Sequence, residues 1–382
     1  MKRFLIIAVL FVQTVAVCYA DDWMGGLDDN TYFSQVSIPG THDSATGEGW
    51  TGILGGMFGP SMGLTQELTI AQQLACGVRA FDLRPCVNGE ELVINHGVLQ
   101  TKAKFAATLK QLCQFVTDHP TEFVVVIMRH ESDGDDNNSQ WGTMINSCLT
   151  GEDIRPLLSD YKRDITVGEL RGKVLVLSRD SYAVRPVGAF ITGWGHQANY
   201  VIGTIKGTAA MAGALYVQDF YEVMDNMTAK LNGIEKLLEF STNNNVKNSN
   251  KHLALCVNCT SGYTASASSD GNRDNAAQCN QKAIDYMAIE THAGPMGIVF
   301  MDFAGTDTSG SYSVKGLTLV NTIISNNQRY EPVKKDDGTG IEEHDSHMDD
   351  SMGLVYNLQG QRVNASVASG IIIRNGKKTF CR

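Results

Sequence analysis

Phe123-Val124-Val125-Val126-Ile127-Met128 runs straight into Arg129-His130-Glu131. Six apolar residues in a row do not alternate between a wet and a dry face, so the segment reads as a strand buried on both sides. Charge begins where the strand stops. The same pattern recurs in both directions along the chain. Upstream, Val78 to Leu83 leads to Arg84, and Glu91 to Asn95 leads to His96-Gly97. Near the start, Tyr32 to Ile38 meets Pro39-Gly40, which predicts a strand breaking into a turn, followed at once by Thr41-His42-Asp43-Ser44. Downstream, Lys173 to Leu177 leads to Ser178-Arg179-Asp180, and Leu215 to Gln218 leads to Asp219-Phe220-Tyr221. Leu253 to Val257 is a further strand, and Gly297 to Met301 ends in Asp302.

Helical spacing falls between these strands: Thr65 to Cys76, Thr101 to Asp118, Met224 to Phe240, Asn275 to Thr291 and Leu317 to Ile324. Alternation of helices with continuous apolar strands predicts an α/β fold with a mostly parallel sheet covered on both faces. In a β/α barrel the C-terminal strand ends form the active-site mouth. Arg84, His96, Arg129, Arg179, Asp219 and Asp302 all stand at such ends, with His42 as a further candidate. One charge there reads as a loop salt bridge; six are harder to explain that way. An open doubly wound sheet fits the same alternation. There is no glycine-rich dinucleotide fingerprint and no phosphate-cradling P-loop.

The chain has 382 residues, 43% of them hydrophobic, and a formal net charge of −10. That balance allows a large core and argues against a general nucleic-acid binder. Met1-Lys2-Arg3, the apolar run to Val17 and Cys18-Tyr19-Ala20 predict a signal peptide over 1–20, with a lipid-modified Cys18 as the alternative. The mature protein is then expected to be exported, secreted or at the cell surface. Eight cysteines follow residue 20, which in an oxidising compartment predicts some disulfides: Cys76 with Cys86, and Cys256 or Cys259 with Cys279, are the sequence-local pairings. Cys256 and Cys259 lack the second pair or the nearby His that a zinc site needs. The segment from Gly47 to Gly63, with Trp50 and Phe58, reads as a long loop that forms a lid, touches membrane or packs on the core. A barrel over 21–330 would be followed by a charged linker over 331–350 and a small β element over 351–382.

A His beside an Asp can serve as a general base, although the Asp could equally cap a helix. Two imidazoles suit a reaction in which one takes a proton and the other gives one. Arginines suit a phosphate, through charge-assisted hydrogen bonds. No metal-ligand cluster stands out, so arginine is expected to supply the positive charge. Together these favour metal-free cleavage of a phosphodiester by an internal hydroxyl.

At this point the chain resembles a known family. Ser37-Ile38-Pro39-Gly40-Thr41-His42-Asp43-Ser44, then Met62-Gly63-Leu64-Thr65-Gln66-Glu67, Gly77-Val78-Arg79-Ala80-Phe81-Asp82-Leu83-Arg84 and His96-Gly97 resemble, in order, motifs of the bacterial phosphatidylinositol-specific phospholipases C, whose X domain is a distorted, incompletely closed TIM-like β/α barrel. The resemblance covers about residues 30 to 330 and is densest in the first hundred of them. It implies that His42 is the general base, oriented by Asp302, and that His96 is the general acid, helped by Asp43. It implies that Arg84 stabilises the phosphoryl oxygens and replaces calcium, so no cofactor is expected. Arg179 and Asp219 would bind the inositol ring, with Tyr221 against its face. The family's lysine before Glu131 is Arg129 here, and 185–213 matches none of its motifs. Asp82 is either a partner of Arg84 or purely structural. The implied activity is cleavage of phosphatidylinositol in membranes, or of lipid-anchored proteins, through transient surface contact and without nucleic acid. The alternatives are an inactive relative that binds inositol glycolipid, and a phosphodiesterase on soluble glycerophosphodiesters. The tail, Val355 to Val363 with Gly370-Ile371-Ile372-Ile373 and Asn375-Gly376, resembles the C-terminal sorting segment of secreted Bacteroidetes proteins.

Overall fold

The computed structural model describes residues 22–195, 197–247 and 249–336, and the backbone of 342–343, 355–357, 362–363, 370–374 and 377–381. The expected signal peptide lies outside the described residues. The described chain divides into two compact units, with the division falling between Val333 and Lys334.

In the larger unit the strands are β1 (Ile38–Thr41), β2 (Ala80–Leu83), β3 (Pro85–Asn88), β4 (Glu91–His96), β5 (Leu99–Lys104), β6 (Val124–Met128), β7 (Leu158–Ser159), β8 (Val174–Ser178), β9 (Ala189–Thr192), β10 (Ala198–Lys206), β11 (Gly213–Asp219), β12 (Glu222–Met224), β13 (Leu255–Cys259), β14 (Tyr263–Thr264) and β15 (Ile298–Met301). The helices are α1 (Gly52–Phe58), α2 (Ile70–Ala75), α3 (Phe105–Asp118), α4 (Trp141–Thr150), α5 (Val167–Leu170), α6 (Met227–Thr242), α7 (Ser269–Ala288) and α8 (Gly316–Asn326).

The α/β reading is correct and the sheet is a barrel. Its order is β6-β2-β1-β15-β13-β11-β10-β9-β8, and β8 pairs back onto β6 over five residues, Val124 against Val174 to Met128 against Ser178. The ladder is therefore closed, where a gap was expected. The distortion lies in β10, which runs antiparallel to both β9 and β11. Alternation along the strands splits the core in two. Ile38, Val125, Ile127, Leu175, Val217, Val257 and Phe300 fill the barrel. Phe81, Val124, Val126, Val176, Val299 and Met301 face the helices. This two-sided burial is why the strands read as unbroken apolar runs.

Several local expectations are corrected. Pro39-Gly40 does not break the strand but lies inside β1. A Cβ on Gly40 would come within 2.8 Å of Phe300 and 3.0 Å of Ala80, so the glycine allows three strands to pack closely. The segment β3–β5 is a separate antiparallel sheet, so His96 ends a hairpin strand and not a barrel strand. Gly47 to Gly63 is not loop throughout: it contains α1 and a π-helical turn over Gly59–Gly63. Trp50 packs against both glycines, and a Cβ on Gly59 would lie 2.1 Å from its ring. Helix α2 starts only at Ile70, where Thr69 caps it with a reciprocal bond to Gln72. Cys86, Cys256, Cys259 and Cys279 are free thiols, so neither sequence-local disulfide forms.

In the smaller unit, the antiparallel pairs Val355–Asn357 with Gly370–Arg374, and Gly370–Arg374 with Lys377–Cys381, belong to a five-stranded sheet.

Candidate active site

Strand direction gathers the functional side chains. Because β1, β2, β6, β8, β13 and β15 are parallel, their C-terminal ends share one end of the barrel. His42 follows β1 and Asp302 follows β15, its hydrogen-bonded neighbour. Register places Thr41 opposite Met301, so the next residue on each strand meets the other. His42 Nδ1 lies 2.8 Å from Asp302 Oδ1. Asp302 is fully buried, and its second oxygen accepts from the Gly262 N–H at 3.4 Å. Asp43 has left-handed backbone (φ 43°), which turns its carboxylate back over β1. Its Oδ2 sits 3.2 Å from His42 Nε2 and 3.4 Å from His96 Nδ1. One carboxylate thus stands between the two imidazoles, whose ring centroids are 6.4 Å apart. His96 Nδ1 donates to the Gly63 carbonyl at 2.9 Å, which leaves Nε2 as the nitrogen open to proton transfer.

Arg84 enters from the end of β2. Its Nε is 2.8 Å from Asp43 Oδ1 and its Nη2 is 2.8 Å from Asp82 Oδ2. Asp82 also accepts the Asp43 backbone N–H at 3.2 Å, so it fixes both the arginine and the unusual turn. Glu131 lies 3.8 Å from Arg84 and 3.6 Å from Arg129, and ties Arg129 to the group. On the far side, Arg179 stacks on the Trp194 ring with 4.3 Å to its centroid, and the Trp194 indole N–H donates to Asp219 at 2.8 Å. Tyr221 places its ring 5.1 Å from that of His42. His42, Arg84, Arg179, Trp194 and Asp219 line one cavity, floored by Ile127, Cys259 and Phe300. All nine residues expected from sequence therefore meet at one end of the barrel.

Electrostatics follow from this crowding. Burial pulls His42 down, but the Asp43 and Asp302 carboxylates outweigh it and raise its pKa to about 9. Burial pushes Asp82 up, but Arg84 overcomes that and holds it at about 2. Glu131 and Asp302 stay above the usual carboxylate range because burial dominates, despite their cationic neighbours. Burial lowers Arg179, partly offset by Asp219. Several buried atoms still lack a hydrogen-bond partner in good geometry: His42 Nε2, both Asp43 oxygens, Asp82 Oδ1 and Glu131 Oε2. The Asp43 oxygens are close to cations but poorly aligned with their protons, so ion pairing leaves hydrogen-bonding capacity unused.

His42, Asp43 and Asp82 bring potential ligand atoms within 4.8 Å of one another. Arg84 already contacts both carboxylates, so a metal would have to displace a guanidinium. Sequence reasoning missed Glu131, Trp194 and the Gly63 carbonyl. Glu131 stands two residues beyond Arg129, a same-face spacing in extended chain that could have exposed it. Trp194 sits in a Gly-Trp-Gly turn with no periodic signal.

Residues 36–180 match the family model described as phosphatidylinositol-specific phospholipase C, X domain. The chain is 29% identical over 162 residues to a 1-phosphatidylinositol phosphodiesterase of Listeria monocytogenes, a match covering 41% of this chain and 48% of that protein. It is 24% identical over 238 residues to a 1-phosphatidylinositol phosphodiesterase of Staphylococcus aureus, covering 57% and 69%. The chain thus spans about half the length of the first relative and more of the second. Among solved structures, a variant of the Staphylococcus aureus phosphatidylinositol-specific phospholipase C superposes with a TM-score of 0.65 at 20% identity, over 81% of this chain and 98% of that one. The Listeria monocytogenes phosphatidylinositol-specific phospholipase C gives 0.59 at 22% identity, over 81% and 98%. These two likenesses establish the barrel fold.

Proposed function

We propose that this chain is a phospholipase C that cleaves phosphatidylinositol, giving diacylglycerol and inositol 1,2-cyclic phosphate. One observation carries the reading. Two imidazoles, each with one nitrogen fixed, flank the Asp43 carboxylate, which together with Asp82 pins the Arg84 guanidinium. The X-domain match over 36–180 supports the same reading. His42 Nε2 takes the proton from the inositol 2-hydroxyl while its Nδ1 is held by Asp302. The freed oxygen forms a bond to phosphorus as the bond from phosphorus to the glycerol oxygen breaks. That oxygen takes its proton from His96, whose ring is set by Gly63 and Asp43. Arg84 stabilises the charge on the non-bridging oxygens, the role a cation would otherwise fill, and no metal is required. Arg129, Arg179 and Asp219 bind the inositol hydroxyls and Tyr221 lies against the ring. A glycosyl-phosphatidylinositol anchor presents the same diester and is a substrate of the same class.

The lipid is reached from a surface. Ile53 (82% exposed), Leu54, Met57, Phe58 and Met62 are exposed on α1 and the turn after it, which ends at the Gly63 carbonyl that holds His96. Val98, Val184 and Met224, also exposed, each lie within a few residues of a site side chain. Such a rim suits transient contact with a membrane. Export by 1–20 and surface sorting by 351–382 complete the proposal.

The test is release of diacylglycerol from phosphatidylinositol vesicles, with phosphatidylcholine vesicles as control. His42→Ala and His96→Ala are each expected to lower turnover by about 10²–10⁴ with an unchanged circular dichroism spectrum. Full turnover in either variant would remove the two-imidazole mechanism. Headgroup binding without turnover would make the chain a binding protein, and cleavage of soluble glycerophosphodiesters alone would make it a different phosphodiesterase.

A further inference from the structure

His42 and Asp302 leave the barrel by the same device. Each directly follows its strand, and the next residue has left-handed backbone: Asp43 at φ 43° and Phe303 at φ 57°. Neither is a glycine, so both turns depend on their surroundings to hold them. One dipeptide, Thr65-Gln66, reaches both. The Thr65 hydroxyl lies 3.2 Å from the His42 carbonyl oxygen and 3.3 Å from that of Asp43, and the Thr65 carbonyl accepts the Phe303 N–H at 2.7 Å. Gln66 bridges the two strand ends with its side chain. Its Nε2 donates to the carbonyls of His42 and Met301, each at 2.9 Å, and its Oε1 accepts the Ala304 N–H at 3.1 Å. The residue is fully buried, and all three bonds go to main-chain atoms. They extend the β1–β15 ladder past the bond from the His42 N–H to the Met301 carbonyl, which is 3.1 Å long. Two donors and an acceptor on one planar head are what a carboxamide offers. An ionised carboxylate has no donor, and lysine and arginine have no acceptor.

We propose that Gln66 is a positioning residue for the general base, a splint that sets the spacing of the β1 and β15 ends and so keeps the His42 imidazole 2.8 Å from the Asp302 carboxylate. This rests on the function proposed above. Gln66 is not among the residues lining the mouth cavity, so it acts on proton transfer and not on headgroup affinity. A misplacement of about 1 Å, far smaller than unfolding, is enough to slow a reaction about 100-fold.

The test compares wild type, Gln66→Met, Gln66→Asn, Asp302→Asn and the Gln66→Met/Asp302→Asn double variant on phosphatidylinositol vesicles. Gln66→Met fills similar space without the three bonds. It is expected to lower kcat at the pH optimum by about 10- to 100-fold, with KM within about 3-fold. Gln66→Asn keeps the carboxamide on a shorter stem and is expected to fall between wild type and Gln66→Met. In the Asp302→Asn background, Gln66→Met is expected to cost about 3-fold or less, since the partner it positions is already gone. The second readout is the titration of His42, followed through the imidazole NMR resonance missing from His42→Ala. In Gln66→Met it should move from about 9 towards 6.5, because a carboxylate no longer held against the ring raises it less. A residue that only stabilised the fold would lower the denaturation midpoint and leave the His42 titration of folded molecules in place. A third readout needs no variant to fold: in wild type the Gln66 side-chain amide protons should shift with the same midpoint as His42, whose carbonyl they hold. An unchanged titration and kcat in Gln66→Met, a raised KM at unchanged kcat, full additivity with Asp302→Asn, or Gln66 amide protons that ignore the His42 titration would each overturn the inference. If the His42 titration moves as expected while wild type cleaves no lipid, the positioning role stands and the enzymatic reading falls.

Discussion

Strand β2 is bracketed by two arginines that are buried against carboxylates, one at each end of the barrel, and they are built differently. Arg79 precedes the strand and is fully buried. It bonds Glu122 at 2.7 Å, donates to the carbonyls of Leu74 and Val78, and lies over the Phe115 ring. The second Glu122 oxygen accepts the Met24 N–H at 2.8 Å. Arg84 follows the strand and serves Asp43, Asp82 and Glu131, yet oxygens of all three remain without a well-aligned donor. Residue types and burial are similar; satisfaction is not. A closed cluster ties the chain together at the bottom of the barrel, whereas an open one at the top holds charge ready for a ligand. Five residues apart in sequence, the same pairing yields a structural brace and a reaction site.

Replacing each arginine breaks the comparison most directly. Arg79→Met strands Glu122 in the core and is expected to cost about 3–5 kcal/mol of stability, read by urea denaturation, with activity per folded molecule retained. Arg84→Met is expected to lower turnover by about 10²–10³ with a smaller loss of stability, because carboxylates at the mouth can take up protons or water. A larger stability loss in Arg84→Met than in Arg79→Met would refute the distinction.

The next effect sharpens the electrostatics. His42 is charged at neutral pH in the free protein, since its pKa is about 9. Its action as a base therefore needs that proton lost, and kcat/KM should rise with pH until about 9. Asp302→Asn removes one of the two carboxylates that raise His42, so its imidazole titration, followed by NMR, should move towards 6.5. An unchanged titration would mean that Asp302 does not set the base. The sign for stability is opposite: a folded-state pKa above the unfolded value stabilises fully below about 6.5, and the contribution is lost as pH rises through about 9. The smallest expected effect is at the rim. Ile53→Ser with Met57→Ser removes two exposed apolar side chains and should weaken sedimentation with phosphatidylinositol vesicles by about 3- to 30-fold. Unchanged binding would move the membrane contact away from α1.

These contrasts also mark how much the sequence could tell. Val124 to Met128 announced a strand because burial on both faces leaves no polar alternation, and Arg84, Arg129, Arg179, Asp219 and Asp302 were found because parallel strands deliver their ends to one mouth. His96 was found for a partly mistaken reason: its strand belongs to a hairpin, and only the fold carries it back to Asp43. Helix α1 was hidden by Gly52, Gly55 and Gly56, which disfavour helix locally and are overridden by tertiary packing, with Gly55 close against the Gln100 backbone. Helix α7 begins at Ser269, earlier than its apolar spacing suggested, because Ser268 caps it through the Gly271 N–H. Trp194 was invisible, since its importance comes from two partners distant in sequence and from a β9–β10 hairpin with no apolar run.

The most direct measurement is phosphorus NMR of phosphatidylinositol vesicles incubated with the purified protein in chelator. The lipid resonance is expected to be replaced by that of inositol 1,2-cyclic phosphate, which needs an internal nucleophile and no added metal. Intact lipid in chelator, with cleavage restored by calcium, would contradict the role given to Arg84. Intact lipid under both conditions would contradict the catalytic account as a whole.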